Sequence, residues 1–190
     1  MTKSHPATED KVRCFLAFPV PKTVQLQLET GLKQSWTGLA GHYRQIPTVN
    51  WHMTVHFLGQ QSHTRLEGLY TPIDELIRHQ QPDDTIILTR LGAFPDEAHP
   101  RFWVAEGTST DRLSRWRQKL GDLLVQHGIQ TDERHWRPHV SLARRKGQER
   151  GEPVKEACID CRLPIRQLQL MISTLTPIGS HYRSLKEWRW

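Results

Sequence analysis

A four-residue pattern of histidine, apolar, small hydroxyl, apolar occurs twice in this chain, as His52-Met53-Thr54-Val55 and, 87 positions later, as His139-Val140-Ser141-Leu142. In an extended strand alternate side chains point to opposite faces, so His52 and Thr54 share one face while Met53 and Val55 turn to the other. His139 and Ser141 repeat the arrangement. A fold that brings both strands together would set two imidazoles and two hydroxyls around one small volume, which suits acid-base chemistry on a phosphate. Strict alternation also puts His56 on the His52 face, as a third imidazole, and turns Phe57 away. By the same rule Arg144 faces away from His139 unless the strand twists, bulges or ends first.

The elements around the two motifs follow a similar order. Residues 12–18 read as a strand ended by Pro19 and Pro21, and Pro21 opens a helix with Val24, Leu28 and Leu32 on one stripe. Residues 51–58 alternate as a strand. Ser62 is placed to cap a helix carrying Leu66, Leu69, Ile73, Leu76 and Ile77, which Pro72 should kink or divide. Strands follow at 85–91 and 101–106, separated by a turn-rich segment. Ser109 or Thr110 then starts a helix with Leu113, Trp116, Leu120, Leu123 and Leu124 buried, and Gly128 stops it. The second motif strand, 139–143, precedes strands near 168–174 and 182–188. Antiparallel-looking strands mixed with helices indicate an α+β fold.

Composition narrows the chemistry. At 190 residues with 36% hydrophobic content the chain can bury a core, and no apolar run reaches the length of a membrane span. Residues 1–10 are polar and without a secretory pattern, which predicts a mobile tail and a cytoplasmic protein. Three cysteines do not make a disulfide framework, and Cys158-Ile159-Asp160-Cys161 lacks the further ligands of a zinc site. No GxxxxGK[ST] loop, HExxH helix or G-x-S-x-G elbow is present. Of the +6 formal charge, much sits between Arg134 and Arg150, where six basic residues face one acid. A basic surface beside the second motif favours a polyanionic substrate, although Arg145 to Arg150 also fits a solvated loop.

Five segments together resemble a known family: Phe15-Leu-Ala-Phe-Pro19, Asn50-Trp-His-Met-Thr-Val-His-Phe-Leu-Gly59, Arg101-Phe-Trp103, Arg137-Pro-His-Val-Ser-Leu-Ala-Arg144 and Tyr182-Arg-Ser-Leu-Lys-Glu-Trp188. They resemble the bacterial RNA 2',3'-cyclic phosphodiesterases, also called 2'-5' RNA ligases, of the two-histidine phosphoesterase superfamily. Ser141 replaces the usual threonine and keeps its hydroxyl; His56 stands where a small or apolar residue is usual. The resemblance implies a bilobal α+β fold, two pseudo-symmetric antiparallel-sheet lobes with outer helices and a central cleft, over residues 11–190. It implies metal-independent hydrolysis of RNA 2',3'-cyclic phosphate ends to 2'-phosphomonoesters, with reversible 2'-5' joining, by a monomer that needs no cofactor. His52 is then the general acid and His139 the general base. Thr54 and Ser141 donate to the phosphate, Arg144 adds a cation, and Phe57 stacks on the terminal base or else belongs to the core. Two other readings stay open: the same chemistry on a small cyclic nucleotide, and a non-catalytic RNA-binding module.

Overall fold

The structure, a computed structural model, describes residues 10–82, 84–132, 134–147, 155–176 and 179–190. Of the expected tail only Asp10 is among them, and Arg150 of the basic loop lies outside the described residues.

The expected elements form where their local signals stand. Strand β1 is Lys11–Pro19, and Pro21 precedes helix α1, Lys22–Leu39, with Val24, Leu28 and Leu32 buried. A short strand β2, Tyr43–Gln45, and a 3-10 turn at Thr48–Asn50 lead into β3, His52–Ser62. The Ser62 hydroxyl caps α2, His63–Glu67, by accepting from the Arg65 amide at 3.3 Å. The expected division of the next helix is present: α3, Tyr70–His79, starts afresh, with Pro72 in its first turn, where a missing N–H costs nothing. Strands β4, Asp84–Phe94, and β5, Phe102–Thr108, precede α4, Asp111–Gln126. Thr110 is the cap of α4, its hydroxyl accepting from the Leu113 amide at 3.2 Å, and Gly128, at φ 75°, ends the helical segment. Leu123 is only partly buried, unlike the other stripe residues. Strands β6, His139–Arg145, β7, Ala157–Ile165, β8, Gln167–Thr176, and β9, Gly179–Arg189, complete the chain.

All strand pairs are antiparallel, in the order β7-β4-β5-β6-β3-β1-β8-β9, with β2 added on β6. The order reads as two four-stranded halves that meet between β3 and β6. There Met53 lies opposite Val140, the one registered pair of that seam among the described residues, and both are fully buried. The helices cover one face of the sheet and leave the other to the motif residues.

Helices α2 and α3 stay on their own half, where Leu66 and Ile73 are fully buried and the Tyr70 ring stands 6.2 Å from Trp188 of β9, but α1 and α4 each cross to the other half. Although α1 follows β1, it lies on β4 and β7: a Cβ on Gly31 would stand 3.0 Å from Leu91 Cδ1, and the Cys161 thiol donates to Gln27 at 3.2 Å. Helix α4 crosses the opposite way, onto β1 and β3. Its Trp116 ring stands 6.2 Å from Phe18, and a Cβ on Gly121 would come 3.1 Å from the His56 ring. The seam is thus held by the crossed helices as well as by backbone pairing. Met53→Ala removes a fully buried side chain at that seam and should lower stability by about 3 kcal/mol in urea denaturation.

Candidate active site

The Met53–Val140 register fixes what lies side by side on the open face. Carried one residue each way, antiparallel pairing sets His52 opposite Ser141 and Thr54 opposite His139. The four motif residues form a compact square in which each imidazole neighbours the hydroxyl of the other strand. Both rings are tethered alike: His52 Nδ1 donates to the Asn50 carbonyl at 2.7 Å, and His139 Nδ1 to the Arg137 carbonyl at 2.7 Å. A carbonyl can only accept, so each Nδ1 carries the proton and each Nε2 of the neutral ring keeps its lone pair for chemistry.

Beyond the square, both strands break alternation at the same place. On β3, Ala17 pairs with Thr54 but Leu16 with His56, so Val55 is an extra residue; on β6, Val104 pairs with Ser141 but Trp103 with Ala143, so Leu142 is extra. Each β-bulge turns two successive residues, Val55 and His56 or Leu142 and Ala143, into the buried face. Three expectations change. His56 is not a third imidazole of the open face but a core residue, 4% exposed, against α4. Phe57 turns to the His52 face, 56% exposed, with its ring 6.2 Å from Phe15. Arg144 turns to the His139 face, its guanidinium 5.8 Å from the Phe102 ring. The open face therefore runs in a line: Arg144, then Ser141 with His52, then His139 with Thr54, then Phe57.

Side chains and backbone hold both bulges. The Thr54 carbonyl accepts from the Trp136 indole at 3.0 Å, and the Val55 carbonyl from Arg117 Nε at 3.0 Å. His56 Nε2 in turn donates to the Arg117 carbonyl at 3.0 Å, and the Arg117 guanidinium lies 5.3 Å from the Trp136 ring. On the second strand the Leu142 carbonyl accepts from the Ile46 amide at 2.8 Å. None of these supporting roles was visible in the sequence, since Arg117, Trp136 and Ile46 match no motif of their own.

The two imidazoles differ in their walls. His52 packs on Phe15, with ring centroids 4.8 Å apart, and meets the edge of Tyr182 at 5.1 Å. Burial lowers its pKa, the bond to Asn50 opposes that, and nearby His139 lowers it further. His139 stacks on Phe94 at 4.1 Å, and the Arg137 guanidinium lies 4.6 Å from the same Phe94 ring. Arg137 grips Glu106 through two bonds, Nε to Oε1 at 2.6 Å and a terminal nitrogen to Oε2 at 3.0 Å, and Arg90 bonds Glu106 and Glu156. Burial also lowers the His139 pKa; the bond to the Arg137 carbonyl and the Glu106 charge oppose it, and the Arg137 charge adds to it. For Glu106 itself, burial pushes the carboxyl up, but bonds from Arg137 and Arg90 outweigh it and hold it below the usual range.

The remaining candidates disperse. Arg145 turns to the opposite face from Arg144, over the Tyr43 ring at 6.0 Å, and Lys146 Nζ donates to the Ala40 carbonyl at 3.0 Å. Cys158 is exposed and Cys161 buried on β7. Among the described residues no group of three or more His, Cys, Asp or Glu could hold a metal ion, and no helix is long and apolar enough to cross a membrane.

A family model described as the 2'-5' RNA ligase superfamily matches residues 25–176, most of the chain and both histidine motifs. This protein belongs to the 2'-5' RNA ligase superfamily. A relative from Aeropyrum pernix named RNA 2',3'-cyclic phosphodiesterase is 30% identical over 157 residues, covering 76% of this chain and 84% of the relative. One of the same name from Bacillus subtilis is 24% identical over 139 residues, covering 73% and 74%. Among solved structures, TT0787 of Thermus thermophilus superposes with a TM-score of 0.73 at 23% identity, covering 93% of this chain and 97% of that one. E. coli LigT complexed with 3'-AMP gives 0.72 at 20% identity, covering 95% and 98%. These likenesses establish the α+β fold of largely antiparallel sheet.

The buried His56 makes this superfamily member's stability depend on pH. Its pKa is pushed down to about 4, by burial above all, against the opposing bond to Arg117. Above about pH 6.5 the ring is neutral in the folded and unfolded chain and contributes no pH dependence. As pH falls toward 4, the unfolded chain takes up a proton that the folded chain refuses, so stability drops by roughly 2 to 3 kcal/mol. In urea denaturation at pH 7 and pH 4.5, His56→Leu should narrow the gap in stability between the two conditions by roughly 2 kcal/mol. An unchanged gap would show that His56 titrates normally.

Proposed function

We propose that this protein is a hydrolase that opens RNA 2',3'-cyclic phosphate ends to 2'-phosphomonoesters without a metal ion. The observation that carries the reading is the matched tethering of His52 and His139, which leaves an Nε2 of each ring for proton transfer beside the hydroxyl of the other motif. The names of the relatives support the substrate class.

The chemistry is an in-line displacement. A water attacks the cyclic phosphorus as a base takes its proton, and the 3'-oxygen leaves opposite as an acid protonates it. We assign His139 as base and His52 as acid. Both imidazoles are held below the usual histidine range, which suits a neutral base at His139. The arriving phosphate supplies negative charge that favours the protonated form of His52. Thr54 and Ser141 donate to nonbridging oxygens, Arg144 adds a cation at one end of the line, and Phe57 offers a stacking face for the terminal base at the other. By microscopic reversibility the same groups would support 2'-5' joining. One chain supplies both histidines, so the reaction needs no second copy, and a cytoplasmic home suits an RNA substrate.

The test is turnover of an oligonucleotide ending in a 2',3'-cyclic phosphate, with products resolved as 2'- or 3'-phosphate. His52→Ala and His139→Ala should each lower kcat at least ~100-fold, and EDTA should leave the wild-type rate unchanged. Full activity in either variant would overturn the reading, and loss in EDTA would overturn its metal independence.

A further inference from the structure

The cationic end of the open face holds a second arginine, carried by β2 on the same edge of β6 that pairs with β3. Strand β2 pairs with β6 so that Arg44 stands directly opposite Arg144, while Tyr43 stands opposite Arg145 and Gln45 opposite Ala143. Directly opposed residues share a face, so Arg44 lies with Arg144, Ser141 and His139 on the open side, and both arginines are exposed. Tyr43 goes to the other side, buried with its ring 6.2 Å from Trp103.

Arg44 also reaches the other half. A terminal nitrogen of its guanidinium lies 3.6 Å from where a Cβ on Gly179 would stand, at the start of β9, and Gly179 has φ 136°, a conformation that favours glycine. The Asn50 amide donates to the Ser180 carbonyl at 3.1 Å and draws the entrance of β3 to the same place. Arg44 thus stands at the end of the face where both halves converge, beside Arg144 and in line with β3.

We propose that Arg44 forms a subsite for the phosphodiester immediately upstream of the terminal cyclic phosphate, and so makes the enzyme selective for oligonucleotide ends over cyclic mononucleotides. The inference rests on the proposed hydrolysis and adds a strand direction to it. With the terminal base against Phe57 and the reacting phosphate over the square of His52, Thr54, His139 and Ser141, the chain leaves past Arg144. The Arg44–Arg144 pair lies two ladder positions past Ser141, about 7 Å along the strands, and the long arginine stem makes up the remaining distance to the next phosphate. A planar guanidinium with forked donors fits two oxygens of a phosphodiester better than an ammonium does.

The experiment measures kcat/KM for a 2',3'-cyclic-phosphate tetranucleotide and for the cyclic mononucleotide of the same base, at several salt concentrations, with wild type, Arg44→Gln and Arg44→Lys. Wild type should favour the tetranucleotide. Arg44→Gln should cut the tetranucleotide-to-mononucleotide ratio about tenfold and reduce the slope of log kcat/KM against log salt by about 0.7 for the tetranucleotide. Arg44→Lys should restore the salt slope and only part of the ratio. An unchanged ratio and slope in Arg44→Gln, with an active wild type, would overturn the subsite alone. A wild type that turns over neither substrate would overturn the hydrolytic reading itself.

Discussion

The pairing of β3 with β6 is the constraint on which the site depends. Met53 opposite Val140 is a modest contact, yet it sets the antiparallel register that turns two copies of one tetrapeptide into a square of alternating imidazole and hydroxyl. A slip of one residue would send either histidine to the helix face and bury its polar atoms without partners. Apolar residues under the square and polar residues upon it therefore enforce the same register. The tethers then use backbone two residues before each histidine, just ahead of its strand, so the rings are oriented by the chain that carries them.

The paired bulges complete that arrangement. A regular strand would have given the open face His56 and hidden Phe57 and Arg144. Inserting Val55 and Leu142 exchanges those positions in both strands at the same distance from the histidine. A bulge leaves backbone groups out of the ladder, and a buried carbonyl without a donor costs about 1–3 kcal/mol. Arg117, Trp136 and Ile46 meet that demand. His56 carries a cost of its own: its Nδ1 is buried without a hydrogen-bond partner among the described residues, in return for the bond that holds the Arg117 turn of α4.

Much of this was legible from local signals. The alternation around His52 and His139, the caps at Ser62 and Thr110, and the division near Pro72 all act over a few residues, and each appears where those residues stand. What escaped depended on partners far along the chain. Strand β2 is too short to show a period, and its place is set by β6, about a hundred positions away. The bulges are irregularities of pairing, invisible to a rule that counts residues by twos. For the same reason His56, Phe57 and Arg144 were the positions where alternation misled, while Arg44, Arg117 and Glu106 gained significance only from their neighbours across strands.

The crossed helices bear on the order in which the molecule can assemble. His56 is covered by a turn of α4 that lies 61 positions downstream, and Phe18 awaits Trp116 of the same helix. As the chain emerges during synthesis, the first half therefore presents part of its apolar face before its cover exists. Contacts of such long sequence separation slow folding and leave strands open to wrong partners in the interval. The halves resemble each other in order of strands, yet neither is a unit that closes its own core.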